Sequence, residues 1–305
     1  MRPKLSIPAQ IKDMKEAGIA FEIMSESEAK QLLDTATYYF RIKAYSKNYS
    51  QYTETEKQGQ YINLDFAYLV DLCKIDTYLR KVILQMSIEL EHFLKVKMLS
   101  DFNTTYEDGY EIINEFFTMQ PHLKDEIELK INTSTCNELI TKYKDGWAIW
   151  NIVEVMSFGQ FIDLYALFYA RNNFSDSYVN ILLPVRMIRN AVAHNNCLLN
   201  RLKPPYSRNI SPCFELRNEL MQHAGIPKKA IEKRLIQPAI HDFAALSYLH
   251  SKVVPTSEKE QTNLRIKDVF YNIILENSSF YDKNEILKSS YSFVESIVAF
   301  YCKES

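Results

Sequence analysis

From Asn63 onward, apolar side chains return at spacings of three and four for about 37 positions. Leu64, Tyr68, Leu72, Ile75, Leu79, Val82, Ile83, Met86, Leu90, Phe93 and Leu94 carry the pattern, and no Gly or Pro interrupts it before Gly109. At a rise of 1.5 Å per residue such a run extends roughly 55 Å, so the spacing predicts one long helix or a kinked pair as the core element. Upstream, Ile7, Ile11 and Met14 share a helix face that Gly18 ends. Ser25 and Glu28 then form a capping-box pattern ahead of Leu32 and Leu33. The aromatic group Tyr38-Tyr39-Phe40 closes near Tyr45, and the polar stretch 46–60 reads as a loop. Downstream, short helices are expected between breaks at Gly109, Pro121 and Gly146. WAIWNIVEVM reads as a helix interrupted at Ser157-Phe158-Gly159, after which a second amphipathic helix starts. Pro184 is acceptable near a helix start, and VRMIRNAVAHN continues for about three turns to the Asn195-Asn196 pair. Past an irregular stretch from Pro204 to Pro212, three or four more helices follow. Pro227, Pro238 and Pro255 punctuate them, and Tyr291, Val294, Ile297 and Val298 form a last stripe.

Composition agrees with an all-α reading. The chain has 305 residues with 6 Gly, 20 Tyr and 17 Phe, where average usage would give roughly 21 Gly. Hairpin turns, Gly-rich phosphate loops and dinucleotide fingerprints therefore have almost no material. With 47% hydrophobic and 24% charged residues, disorder is excluded. No apolar stretch reaches the ~20 residues of a membrane span, and the N-terminus lacks the apolar core of a signal peptide. Cys73, Cys136, Cys197, Cys213 and Cys302 show no C-x-x-C spacing. An odd, scattered set fits a reducing compartment, so a cytoplasmic protein without a metal site is expected.

Charge changes the picture locally. The total is −2, yet the segment from Ser177 to Arg234 carries ten Lys/Arg against Glu215, Glu219 and Glu232, a balance of +7 that leaves −9 for the rest. No acid occurs between Ser177 and Phe214. A polyanion-facing surface and a plain solvated face both fit such a segment.

Inside it lies Arg189-Asn190-Ala191-Val192-Ala193-His194. An imidazole can move the proton of a ribose 2′-hydroxyl or of a leaving oxygen, while a guanidinium can stabilise charge growing on phosphate. The bare R-x(4–6)-H pattern is expected about 0.6 times by chance and occurs three times, the others being Arg217/His223 and Arg234/His241. Pro238 falls inside the third and sets it aside, and pattern alone does not choose between the first two. On a regular helix Arg189 and His194 stand about 140° apart, while Asn190 and His194 share a face. They converge on one phosphate only if the helix loosens at His194 or if a second copy or another helix completes the site. The plain alternative is a surface Arg with a His at a helix C-terminus. Glu89, Glu91 and His92 on the long helix read either as buried acid/base groups or as its solvent face.

Five ordered segments resemble the Abi family of abortive-infection proteins (the AbiD/AbiF group), within the HEPN superfamily. They are PKLSIPAQIKDMKEAGI, TYYFRIKAY, DFAYLVDLCKIDTYLRKVIL with SIELEHFLK, AIWNIVEVMSFGQF and RMIRNAVAHNNCLLNRL. The resemblance covers residues 3 to 202 and implies a HEPN-like helical bundle over 61–205, with an N-terminal helical segment (1–60) and a C-terminal helical region (206–305). It selects Arg189 and His194, with Asn190, as the catalytic set of an endoribonuclease that works without metal or other cofactor. Asn195, Asn200 and Arg201 fall on trailing polar positions, Glu91 on the acid of the long helix and Glu154 on the acid of W-x-x-x-E. With the basic segment, the expected RNA contacts are Arg186, Asn195, Asn200, Arg201, Lys203 and Arg208. The resemblance further implies a toxin-like role in phage defence, a homodimer or RNA-completed site, and a structured noncoding RNA as regulator. Neither membrane nor DNA is expected as a partner, and a non-catalytic RNA-binding helical module is the alternative reading.

Overall fold

The computed structural model describes residues 4–54, 56–175 and 177–302. The chain is all-α. Its N-terminal part runs α1 (Ile7–Glu16), α2 (Glu26–Thr35) and α3 (Tyr39–Ala44), and two-residue strands β1 (Ile19–Ala20) and β2 (Leu64–Asp65) pair in parallel, Ile19 opposite Leu64. Gly18 ends the first helix with φ +81°, and a Cβ there would sit 2.7 Å from that of Gln60, so conformation and space both require glycine. Ser25 and Glu28 form the expected reciprocal cap, the Ser25 N–H donating to Glu28 Oε2 at 2.8 Å.

The long periodic run is one uninterrupted helix, α4 (Phe66–Phe102), 37 residues long and started by the Asp65 carboxylate, which accepts the Ala67 N–H at 2.8 Å. After it come α5 (Glu111–Met119), α6 (Leu123–Glu128), α7 (Asn137–Tyr143), α8 (Ile149–Ile152), α9 (Phe158–Arg171) and α10 (Val179–Ala193). The helix–break–helix reading around Gly159 needs one refinement. Ser157 accepts the Gln160 N–H at 3.3 Å and starts α9, so Phe158 and Gly159 form its first turn and the break precedes them. The C-terminal region contributes α11 (Phe214–Asn218), α12 (Lys228–Arg234), α13 (Pro238–Val253), α14 (Thr256–Asp268) and α15 (Glu285–Tyr301).

Helix α4 is buried on several sides because α3, α10, α13 and α14 all pack on it, while α10 also lies against α9 and α13. One hydrophobic core runs from Ile11 to Cys302 through all three parts of the chain. Polar groups buried on α4 bind distant segments. Asp76, fully buried, is paired with Arg80 and accepts from the Tyr45 hydroxyl at 3.0 Å. Its other oxygen takes the N–H groups of Leu198 and Leu199 at 2.8 and 2.9 Å. Asp71 accepts from Asn277 and Tyr281. Glu89 faces His250 at 2.8 Å and accepts from Thr262 at 2.6 Å.

Two outcomes follow for stability. Asp76→Ala strands the buried Arg80 charge and three other donors, and is expected to cost about 3–5 kcal/mol in urea denaturation. Burial pushes the Glu89 carboxyl up, but hydrogen bonds from His250, Thr262 and Gln85 outweigh it and hold the group below its ordinary value of 4.5. A depressed carboxyl contributes stability above its unfolded pKa and loses it as pH falls through the folded one. The stability gap between the wild type and Glu89→Gln should therefore be full above about pH 5 and shrink progressively in more acidic solution.

Candidate functional site

Helix α10 buries Ile181, Leu182, Val185, Ile188 and Val192, which fixes its rotation against its neighbours. Leu183 and Met187 are left outside at 60% and 44% exposure. The helix ends on a left-handed residue, Asn195, with φ +57°. The Asn195 N–H donates to Val192 O at 3.0 Å and the Asn196 N–H to Ala191 O at 2.9 Å, which together form a Schellman end. His194 is thereby the C-cap, still bonded through its N–H to Asn190 O, and its ring is exposed. Asn tolerates this backbone better than other non-glycine residues, which is why the turn falls on the Asn195-Asn196 pair.

The segment after the helix is pinned from the other side. The buried Arg41 of α3 donates to Asn195 O. Beyond the two bonds to Asp76, Asn48 donates to Leu199 O at 2.7 Å and accepts the Leu202 N–H at 2.6 Å. His194, Asn195 and Asn196 thus share a shallow groove with Tyr38, Phe40 and Arg41.

Arg189 turns elsewhere. Its Nη2 lies 3.6 Å from Glu91 Oε2 on α4, its Nη1 donates to Asn190 Oδ1 at 3.3 Å, and its guanidinium carbon is 6.0 Å from the Phe158 ring centre. Lys95 reaches the other Glu91 oxygen at 3.4 Å. Arg189 Nε is buried without a hydrogen-bond partner among the described residues. Arg189 and Asn190 are brought together with Glu91, whereas no hydrogen bond joins Arg189 to His194. The loosening required at His194 is present, but it directs the imidazole toward α3 and leaves the guanidinium against α4 and α9.

The other expected residues divide by what they touch. Arg186 packs on Gly159, where a Cβ would come within 2.7 Å of its guanidinium carbon. Asn195 and Arg201 are exposed and Asn200 is half-buried; Arg201 donates to Pro205 O at 2.9 Å. Lys203 donates to Tyr49 O at 2.6 Å, and burial, with the neighbouring Arg201 charge, lowers its pKa. Arg208 is paired with the buried Asp242. The long-helix trio separates: Glu89 faces α13 and α14, Glu91 faces Arg189, and His92 is exposed. Glu154 is exposed as well. Among the described residues, no three His, Cys, Asp or Glu side chains gather as metal ligands, and no helix is long and apolar enough to cross a membrane.

Residues that shape this site without having been singled out are Asp76, Asn48 and Arg41. Asp76 and Arg80 are four apart within a run of apolar residues, on the turns that bury Leu72, Leu79 and Ile83, and that spacing marks a buried pair. Asn48 has no comparable signal, since its partners lie about 150 residues away.

Compared with known families, residues 31–200 match the one described as Abi-like protein, more than half of the chain, from within α2 through the Asp76-bound loop. The chain belongs to the Abi-like protein family. Membership places it in abortive infection, a form of phage defence. Neither the curated proteins nor the solved structures yield a match. The matched span of this Abi-like protein includes α4, α9 and α10, so the Glu91–Arg189 contact and the His194 cap both fall inside it.

The helix end can be tested directly. Asn195→Gly should leave stability unchanged or slightly raised, whereas Asn195→Ala should lower it by roughly 1 kcal/mol in urea denaturation, because only the alanine resists positive φ.

Proposed function

We propose that this protein is an abortive-infection endoribonuclease in which Arg189, Asn190 and His194 act on RNA without metal, in a HEPN-like site completed by a second copy of the chain. The observation that carries the reading is the helix end. An exposed imidazole sits at the C-cap of α10, held by a Schellman turn and a pinned loop, at the end of the helix that bears Arg189. Three further features support it. No acid lies between Ser177 and Phe214, so the segment around the helix end adds no negative charge of its own against a phosphate. Leu183 and Met187 form an exposed apolar stripe leading along α10 toward Asn190 and His194, a face suited to a second α10. Arg189 has an unspent buried donor in its Nε.

In this reading a neutral His194 imidazole takes the 2′-hydroxyl proton as that oxygen attacks the adjacent phosphorus. Arg189 neutralises the charge that builds on the non-bridging oxygens. The bond to the 5′ oxygen breaks, and that oxygen receives a proton from the imidazolium of the second copy. The products are a 2′,3′-cyclic phosphate and a 5′-hydroxyl. A structured noncoding RNA binding the same basic surface would hold the enzyme in check, with Arg186, Asn195, Asn200 and Arg201 as its contacts beside the α10 end.

One observation favours the second reading, a helical RNA-binding module that does not cut: within one chain Arg189 is already held by Glu91 and does not meet His194. The two readings separate in one assay. Purified protein incubated with RNA in EDTA should release cyclic-phosphate ends. Arg189→Ala and His194→Ala should each slow cleavage by about 10²-fold or more with the melting temperature unchanged. RNA that is bound by the wild type but never cut decides for the binding module, and cleavage that survives both substitutions removes the assigned site.

A further inference from the structure

Behind the loop that follows His194 lies an apolar cavity of about 170 Å³, walled by α4, α10, α13 and α15. Leu79, Ile188, Leu202, Phe243 and Phe270 line it. Protein interiors are close-packed, and an empty space of this size costs stability in proportion to its volume. A dry engineered cavity of about 150 Å³ with such walls takes up benzene.

The polar features of this cavity are uneven. Among the described residues no carboxylate lines it, and the one charged lining residue is Lys288, half-exposed, which reaches Glu285 at 3.2 Å and Asp282 O at 3.4 Å. Ser290, 3% exposed, also lines it. Ser290 Oγ accepts from Arg234 at 3.4 Å, and among the described residues it donates no hydrogen bond of its own. Arg234 is itself buried, at 7% exposure. Its guanidinium donates to the hydroxyls of Ser289 and Ser290, and no carboxylate comes within 4.0 Å of it among the described residues. A buried cation without a counter-ion is costly. Here it backs a hydroxyl whose proton is free to point into an apolar space.

We propose that this cavity binds a small amphipathic acid. An alkyl chain or ring of about six to eight carbons would fill the apolar walls. Its carboxylate would accept a hydrogen bond from the Ser290 hydroxyl, in the field of Arg234 and beside Lys288. This fills the void and supplies the missing negative charge in one step. It is independent of whether the chain cuts RNA. Because Leu198, Leu199 and Leu202 form part of the wall, an occupant would also press on the loop that Asp76 and Asn48 hold.

The test uses the full chain and octanoate as probe. Calorimetric titration should give one saturable site, the melting temperature should rise with octanoate concentration, and amide exchange should slow across Leu198–Leu202. The neutral 1-octanol should bind about tenfold or more weakly. Ser290→Ala should weaken octanoate by a similar factor while leaving benzene binding unchanged, and Ala239→Leu, with circular dichroism confirming its helix content, should exclude both probes. Absence of saturable octanoate binding, equal affinity for octanol, binding without protection of Leu198–Leu202, or binding that survives Ala239→Leu in the folded protein would each overturn the proposal.

Discussion

The Asp76 carboxylate is the contact on which the rest of the site depends. Removing a carboxylate from water costs several kcal/mol even after relaxation, and it is tolerated only where charge and hydrogen bonds compensate it fully. Asp76 meets that demand with four donors from three parts of the chain: Arg80 one turn along α4, the Tyr45 hydroxyl, and the successive N–H groups of Leu198 and Leu199. Those two backbone donors lie just after the helix that carries Arg189 and His194. The charge that would destabilise the core if left alone therefore becomes the reason the chain beyond His194 has one path. Asn48 repeats the device with neutral groups by gripping Leu199 and Leu202 from the N-terminal side.

The same logic recurs along α4 and explains how the terminal regions are bound to it. Asp65 accepts the N–H groups of Glu22 and Ile23 as well as capping its own helix. Asp71 holds Asn277 and Tyr281, and Glu89 holds His250 and Thr262. Acids spaced along one helix thus receive donors from segments up to about 210 residues away. Hydrophobic contact brings α13 and α14 to α4, but apolar contact is non-directional. The buried hydrogen bonds set the register, because a slip of one turn would leave both partners unsatisfied.

This division also explains what could be read in advance. The extent of α4, the Ser25–Glu28 cap, the stop at Gly18 and the end of α10 near Asn195 are local matters of periodicity, capping and left-handed backbone, and residues within a few positions determine them. The first turn of α9 was displaced by two residues because Ser157 is a cap, and a cap looks like a break when only the apolar pattern is followed. The bonds of Glu89 to His250 and Thr262, the pairing of Arg208 with Asp242 and the hold of Asn48 on Leu199 depend on segments 34 to 173 residues apart, and no local pattern encodes them. The direction of Arg189 belongs to the same class, since it is set by Glu91 nearly 100 positions earlier and by Phe158.

That direction bears on how the α10 end could meet a phosphate. The Glu91–Arg189 contact is loose, at 3.6 Å, and the arginine side chain is 31% exposed, so its disruption costs little where solvent screens the charges. A phosphate presents two or more oxygens to a planar guanidinium and could engage the Nε that has no partner in the resting arrangement. Glu91, shared between Lys95 and Arg189, would then keep the guanidinium oriented before the ligand arrives and release it afterwards with Lys95 still in place as its own partner. Meanwhile the backbone that carries His194 is fixed by the helix end and by Arg41 behind Asn195, and its imidazole stays exposed. An Arg held against α4 and α9 and an exposed His on a fixed helix end facing α3 would suit a pair across an RNA strand or between two copies of α10 better than a pair within a single helix.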